Sequence, residues 1–100
     1  MTKKVYEGNF MRDQRSGTGV MTYTDMDSGE KDTYSGQWRA DKYQGIGAYN
    51  WSSGAEYVGP WALGKRHGQE ANAKYPDGSK YFGDFQDNKK HGRGKYTWTD

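Results

Sequence analysis

Tyr57-Val58-Gly59-Pro60-Trp61-Ala62-Leu63-Gly64-Lys65-Arg66-His67-Gly68 is the stretch that the rest of the chain restates. Its opening, Tyr-x-Gly-x-(Trp or Phe), recurs at Tyr6-Glu7-Gly8-Asn9-Phe10, at Tyr34-Ser35-Gly36-Gln37-Trp38 and at Tyr81-Phe82-Gly83-Asp84-Phe85. The four tyrosines start 28, 23 and 24 residues apart. Another glycine stands 11 residues after each of them (Gly17, Gly45, Gly68, Gly92), and in three units a second follows two residues later (Gly19, Gly47, Gly94). Self-similarity at this period means stacked supersecondary units, each burying its apolar face against the next.

Composition says what those units are built from. Of 100 residues, three are Val, one is Ile and one is Leu, so no ordinary aliphatic core is available. Sixteen aromatics, nine of them Tyr and four Trp, must supply the apolar area that offsets chain entropy. With no cysteine there is neither a disulfide framework nor a thiolate zinc site, which fits a reducing, cytoplasmic setting. No apolar run approaches the length of a membrane span or a signal-peptide core. A net charge of +2 makes no case for nucleic acid.

Within each unit the period is two. Tyr6, Gly8 and Phe10 alternate with Glu7 and Asn9, and Gly17, Gly19, Met21 and Tyr23 alternate with threonines, which predicts a β-hairpin turned at Asp13 to Ser16. Repeating the argument places strands near 5-10, 17-23, 34-38, 45-51, 57-61, 71-75, 81-85 and 92-98, with Met1 to Val5 as a frayed lead-in. Glu70 stands where a glycine is expected, and one additional residue before Gly78 predicts a β-bulge in the third unit. Short links between alternating strands force antiparallel neighbours. The expected fold is all-β: an elongated, single-layered antiparallel meander of stacked hairpins without a helix. Residues 1-100 read as one array, with units at 6-33, 34-56, 57-80 and 81-100. Tracking faces puts 14 of the 16 aromatics on one side, all but Tyr43 and Phe82. The repeated glycines share that side, where a missing Cβ lets a ring lie flat, so Gly47→Val is expected to cost about 1 to 3 kcal/mol.

The pattern Tyr-x-Gly-x-Trp-x-x-Gly-Lys-x-His-Gly-x-Gly, followed by Tyr-x-x-Asp-Gly, resembles the MORN repeat (membrane occupation and recognition nexus), over residues 6 to 100. Departures are local: Glu70 for glycine, Gly54 without a preceding Asp, the long acidic link Thr24 to Thr33, and the incomplete fourth unit. The resemblance implies hairpins stacked into a twisted sheet with a shallow aromatic groove. It also implies a scaffold of the kind found in radial spoke heads of cilia, junctional membrane complexes and protozoan cytoskeletons, or a unit fronting some lipid kinases and lysine methyltransferases. A cytoplasmic chain associated with cytoskeleton or cilium is the corresponding expectation.

Catalytic chemistry finds no foothold in the sequence. His67 and His91 occupy one place in two units, ten residues after the repeat tyrosine, and so read as structural. The Gly-x-Gly pairs lack the following helix that would bind a phosphate. No enzyme activity, cofactor or metal is expected. The candidate site is a partner-binding groove lined by Tyr34, Trp38, Trp51, Tyr57, Trp61, Tyr75, Tyr81 and Phe85, receiving a helix or extended peptide. On this reading Trp38→Ala or Trp61→Ala abolishes binding while the sheet stays folded. A second candidate is a basic rim at the hairpin ends, Arg39, Lys42, Lys65, Arg66, Lys89 and Lys90, facing anionic phospholipid. The edge strand ending at Trp98 offers self-association as a third mode of contact.

Overall fold

Four turns of two residues set the architecture: Arg12-Asp13, Ala40-Asp41, Leu63-Gly64 and Asp87-Asn88 all have positive φ, between 49° and 81°. Two successive left-handed residues make the type I′ turn, whose twist matches that of the strands it joins. In the computed structural model, which describes residues 1–99, these turns connect β1 (Thr2–Met11) to β2 (Gln14–Asp25) and β3 (Lys31–Arg39) to β4 (Lys42–Asn50). They likewise connect β5 (Glu56–Ala62) to β6 (Lys65–Arg66) and β8 (Lys80–Gln86) to β9 (Lys89–Thr97), while β7 (Gly68–Lys74) continues β6 beyond a break at His67. All pairings are antiparallel, in the order β1-β2-β3-β4-β5-β7-β8-β9, with β6 on β5. The molecule measures 43 × 31 × 16 Å, and the shortest dimension leaves no room for a second sheet stacked about 10 Å away with its own side chains. The expected single-layered meander is the observed fold, with no helix among the described residues.

Two local expectations are corrected. Gln14 to Ser16 do not form a turn; they belong to β2, with Met11 opposite Gln14 and Phe10 opposite Arg15. Met1 to Val5 is not a frayed lead-in either, because the 12-residue β2 offers Asp25, Thr24, Tyr23 and Thr22 as partners to Thr2, Lys3, Lys4 and Val5. Met26 N–H also closes on the Met1 carbonyl at 2.9 Å.

Every hairpin carries a bulge at one place. Gly8 pairs with Gly19 but Phe10 with Arg15, Gly36 with Gly47 but Trp38 with Tyr43, and Gly83 with Gly94 but Phe85 with Lys90. Between these pairs, one residue on the outgoing strand thus lies opposite three on the returning one. The glycine 11 residues after each tyrosine sits inside this bulge with a left-handed φ in three units: 78° at Gly17, 76° at Gly45 and 63° at Gly92. The third unit holds one residue more, as its spacing predicts. There Glu70 takes the left-handed φ of 59°, and the register shift between Gly68 and Ala71 delivers Ala71, in place of the expected glycine, opposite Gly59. The bulge also corrects the assignment of Tyr43: pairing with Trp38 puts its ring on the aromatic face. Phe82, 48% exposed, lies on the other.

Leu63, like Arg12 and Ala40 at the same turn position, is a residue type that opposes its left-handed conformation, with φ 51° and 71% exposure. Asn before Gly64 would be the preferred type I′ dipeptide, so Leu63→Asn is expected to raise stability by about 0.5 to 1 kcal/mol in urea unfolding.

Candidate functional site

The tyrosine that opens each unit does not stand out from the sheet. It lies along its own strand, with its hydroxyl donating to the carbonyl three residues on: Tyr6 to Asn9 (2.9 Å), Tyr34 to Gln37 (2.8 Å), Tyr57 to Pro60 (2.6 Å) and Tyr81 to Asp84 (3.0 Å). The floor beneath it is two facing small residues, Gly8 and Gly19, Gly36 and Gly47, Gly59 and Ala71, or Gly83 and Gly94, where a Cβ would strike the ring or the opposite backbone. Four residues after each tyrosine, the next aromatic stands edge-on to it and reaches back to the previous unit. Trp38 Nε1 donates to the Gly19 carbonyl and Trp61 Nε1 to the Gly47 carbonyl, both at 3.1 Å.

The result is one continuous ladder of near-perpendicular rings: Phe10, Tyr6, Trp38, Tyr34, Trp61, Tyr57, Phe85, Tyr81. Successive centroids are 5.0 to 5.6 Å apart, at angles of 76° to 90°. Edge-to-face pairs of this kind contribute about 0.5 to 1.5 kcal/mol each beyond their buried area. This ladder is the core. Of the eight rings expected to line a groove, six are nearly inaccessible: Tyr34 and Tyr57 at 0%, Trp38 and Phe85 at 4%, Trp61 at 5% and Tyr81 at 6%. The open groove is corrected to that extent, because rings lying flat on glycine cover one another. Burial pushes the Tyr57 phenol up to about 12 and the Tyr34 phenol further still.

Trp51 and Tyr75 differ. They are half-buried members of a second row, with Tyr23, Tyr49 and Tyr96 near the links between units and Tyr43 nearer a hairpin turn. Tyr49 meets Trp51 at 4.5 Å, Tyr75 stacks on Tyr96 at 5.7 Å, and Tyr96 meets Trp98, which is 70% exposed, at 4.5 Å. Hydroxyls tie one end of the row together, since Tyr23 and Tyr43 hydrogen-bond each other and Tyr49 donates to the Asp32 carboxylate at 3.3 Å. Burial raises the phenols of Tyr43 and Tyr49, Tyr23 adding to the first and Asp32 to the second.

Along this row lie cations that the sequence places on a rim or gives no role. Nine residues after each repeat tyrosine come Arg15, Tyr43, Arg66 and Lys90, each paired with the ladder aromatic across its hairpin. Arg15 covers Trp38 at 5.0 Å; Arg66 covers Phe85, Trp51 and Tyr57 at 5.4, 5.8 and 5.9 Å; Lys90 covers Tyr75, Tyr96 and Tyr81 at 4.9, 5.3 and 5.6 Å. Tyr43 fills that place in the second unit by stacking on Tyr34 at 3.9 Å. Arg66 and Lys90 therefore turn onto the aromatic face, while Arg39, Lys42, Lys65 and Lys89 remain exposed at the hairpin ends. Aligning the four units on this offset would have found the set.

The same residues clasp neighbouring units. Asp41 accepts from Arg15 N and Nε at 2.8 and 2.9 Å, and Asn88 accepts from Arg66 N and Nε at 2.9 and 3.4 Å. The turn returns a backbone bond each time: Asp41 N to Arg15 O, Gly64 N to Tyr43 O and Asn88 N to Arg66 O, at 3.0 to 3.1 Å. Hydrogen bonds from Arg15 hold the Asp41 carboxyl below its ordinary range. His67 and His91 lie beside this seam, His67 Nδ1 facing the Asp87 N–H at 3.4 Å and His91 pairing with Asp84 across the hairpin.

The sequence profile described as MORN repeat matches residues 6–27, 34–56, 57–69 and 81–100. It leaves out residues 28–33 at the end of the long first link, and residues 70–80, the segment beginning at Glu70 where the third hairpin carries its extra residue. Alsin from Homo sapiens, Mus musculus and Rattus norvegicus is 34% identical over 94 residues, covering 89% of this chain and 5% of each relative.

Proposed function

This chain belongs to the MORN-repeat family, and we propose that within it the array acts as a non-catalytic interaction module that holds a segment of a partner protein along the half-buried aromatic row. The observation that carries the reading is the contrast between the two rows. The ladder of Tyr34, Trp38, Tyr57, Trp61, Tyr81 and Phe85 is nearly inaccessible, whereas Trp51, Tyr75 and Tyr96 are only half-buried and Trp98 is exposed, beside Arg66 and Lys90. Large flat rings with a polar tip supply contact area at low entropic cost, and are the residue types that dominate binding energy. Cations lying on those rings select a partner segment that carries carboxylates among its apolar side chains. A cytoplasmic, cytoskeletal or ciliary setting accompanies this proposal, supported by the family resemblance.

Photo-crosslinking tests it whatever the identity of the partner. A benzophenone amino acid placed at Trp51 or Tyr75 in cells is expected to yield a discrete protein adduct, while the same group at Ile46, 58% exposed on the opposite face, yields none. Equal labelling from Ile46 and Trp51 would contradict the assignment. A second reading rests on Arg39, Lys42, Lys65 and Lys89, which stand exposed at successive hairpin ends. If these contact anionic phospholipid, the protein sediments with phosphatidylserine vesicles, and reversing the four charges releases it, leaving crosslinking at Trp51 unchanged.

A further inference from the structure

The contacts between units inside this chain specify what would fit its two ends. Among the described residues β1 pairs only with β2 and β9 only with β8, so one edge of each has no strand partner within them. We propose that a second copy of this chain adds its β1 to the β9 edge of the first, continuing the sheet head to tail.

Internal junctions supply the register. Where one unit meets the next, Met21 pairs with Tyr34 and Gly19 with Gly36, then Tyr49 with Tyr57 and Gly47 with Gly59. The same rule sets Tyr96 against Tyr6 of the second copy and Gly94 against Gly8 of the second copy. Each consequence of that register is favourable. Phe10, 63% exposed and the one ladder ring left open, comes onto Tyr81 as Phe85 comes onto Tyr57. Lys95 falls opposite Glu7 of the second copy, in the place where Val20 faces Ser35 and Ala48 faces Val58. Lys90 meets Asp13 of the second copy as Arg15 meets Asp41 and Arg66 meets Asn88, a cation clasping a turn acceptor. Trp98 falls against Lys4 of the second copy. Opposite charges thus meet at two positions, although both edges are rich in lysine. Because the two surfaces differ, the contact is heterologous and does not close at a dimer.

Sedimentation of the full chain over a concentration series tests this, and needs no other partner. Wild type is expected to grow in mass past the dimer. Glu7→Lys alone and Lys95→Glu alone each set like charges opposite one another and weaken association about tenfold. Mixing the two variants restores it, since every junction in the mixture can then pair Lys with Glu. Wild type that stays monomeric throughout, or single variants that assemble as well as wild type, would overturn the proposal. So would a mixture no better than its components.

Discussion

Trp61→Ala is expected to destabilise the sheet by about 3 to 5 kcal/mol, the range for truncating a buried Trp or Phe. The indole is 5% exposed, donates to the Gly47 carbonyl, and stands edge-on to both Tyr34 and Tyr57 at 5.6 and 5.0 Å. Removing it breaks the ladder at its centre and leaves a cavity between the second and third units. A domain of this size has about 5 to 15 kcal/mol in all, so the variant is expected to unfold at much lower urea, and a large part of it to be unfolded in physiological buffer. This reverses the expectation that Trp61→Ala removes only a partner contact. Trp51→Ala is the control. Its ring is half-buried at the edge of the cluster, so unfolding shifts by about 1 kcal/mol, within the range of ordinary partly exposed substitutions. Urea titrations of the two variants followed by far-ultraviolet circular dichroism separate core from surface.

Gly47→Val is expected to cost about 3 kcal/mol or more, at the top of the range that its sequence position implies, because the site is overpacked rather than underpacked. A Cβ at Gly47 would overlap the Oη, Cζ and Cε1 atoms of Tyr34, a ring that is fully buried and pinned by its hydrogen bond to Gln37. The far side offers no escape, since Gly47 also supplies the carbonyl that holds Trp61. At about 4 to 8 °C per kcal/mol for a chain of this length, the melting midpoint falls by about 12 °C or more. Gly29→Ala serves for comparison. No atom lies within 4 Å of its Cβ, so only the left-handed φ of 79° is strained, at about 1 to 2 kcal/mol.

What sequence reveals here is what repeats along one strand. The alternation of Tyr34, Gly36 and Trp38 foretells strand and face, the spacing from Gly68 to Gly78 foretells the extra residue at Glu70, and glycine beside aromatic foretells the flat rings. What it conceals lies across strands. Tyr43 is assigned to no face until the bulge is known that sets it opposite Trp38. The partners of Thr2 to Val5 likewise depend on how far β2 extends. Counting aromatics on one side does not tell whether they stand open or lie over one another, and that orientation makes core of six candidate groove residues. Trp51 and Tyr75 escape because they are not held between a glycine floor and a covering ring in the way that Gly47 and Tyr43 enclose Tyr34.

The sealing of the ladder is read most directly by an alkaline titration of phenolate absorbance in the folded protein. Burial raises the folded-state pKa of Tyr34 and Tyr57 above the ordinary 10.0, the latter to about 12. A raised value means that each phenol contributes stability fully present below pH 10 and lost as pH rises through its folded-state value, at about 1.4 kcal/mol per pH unit for each. The predicted result is that Tyr34 and Tyr57 stay un-ionised for as long as the strand signal is intact, and ionise only as the sheet unfolds. All nine tyrosines titrating together near pH 10 in a sheet that remains folded would contradict it.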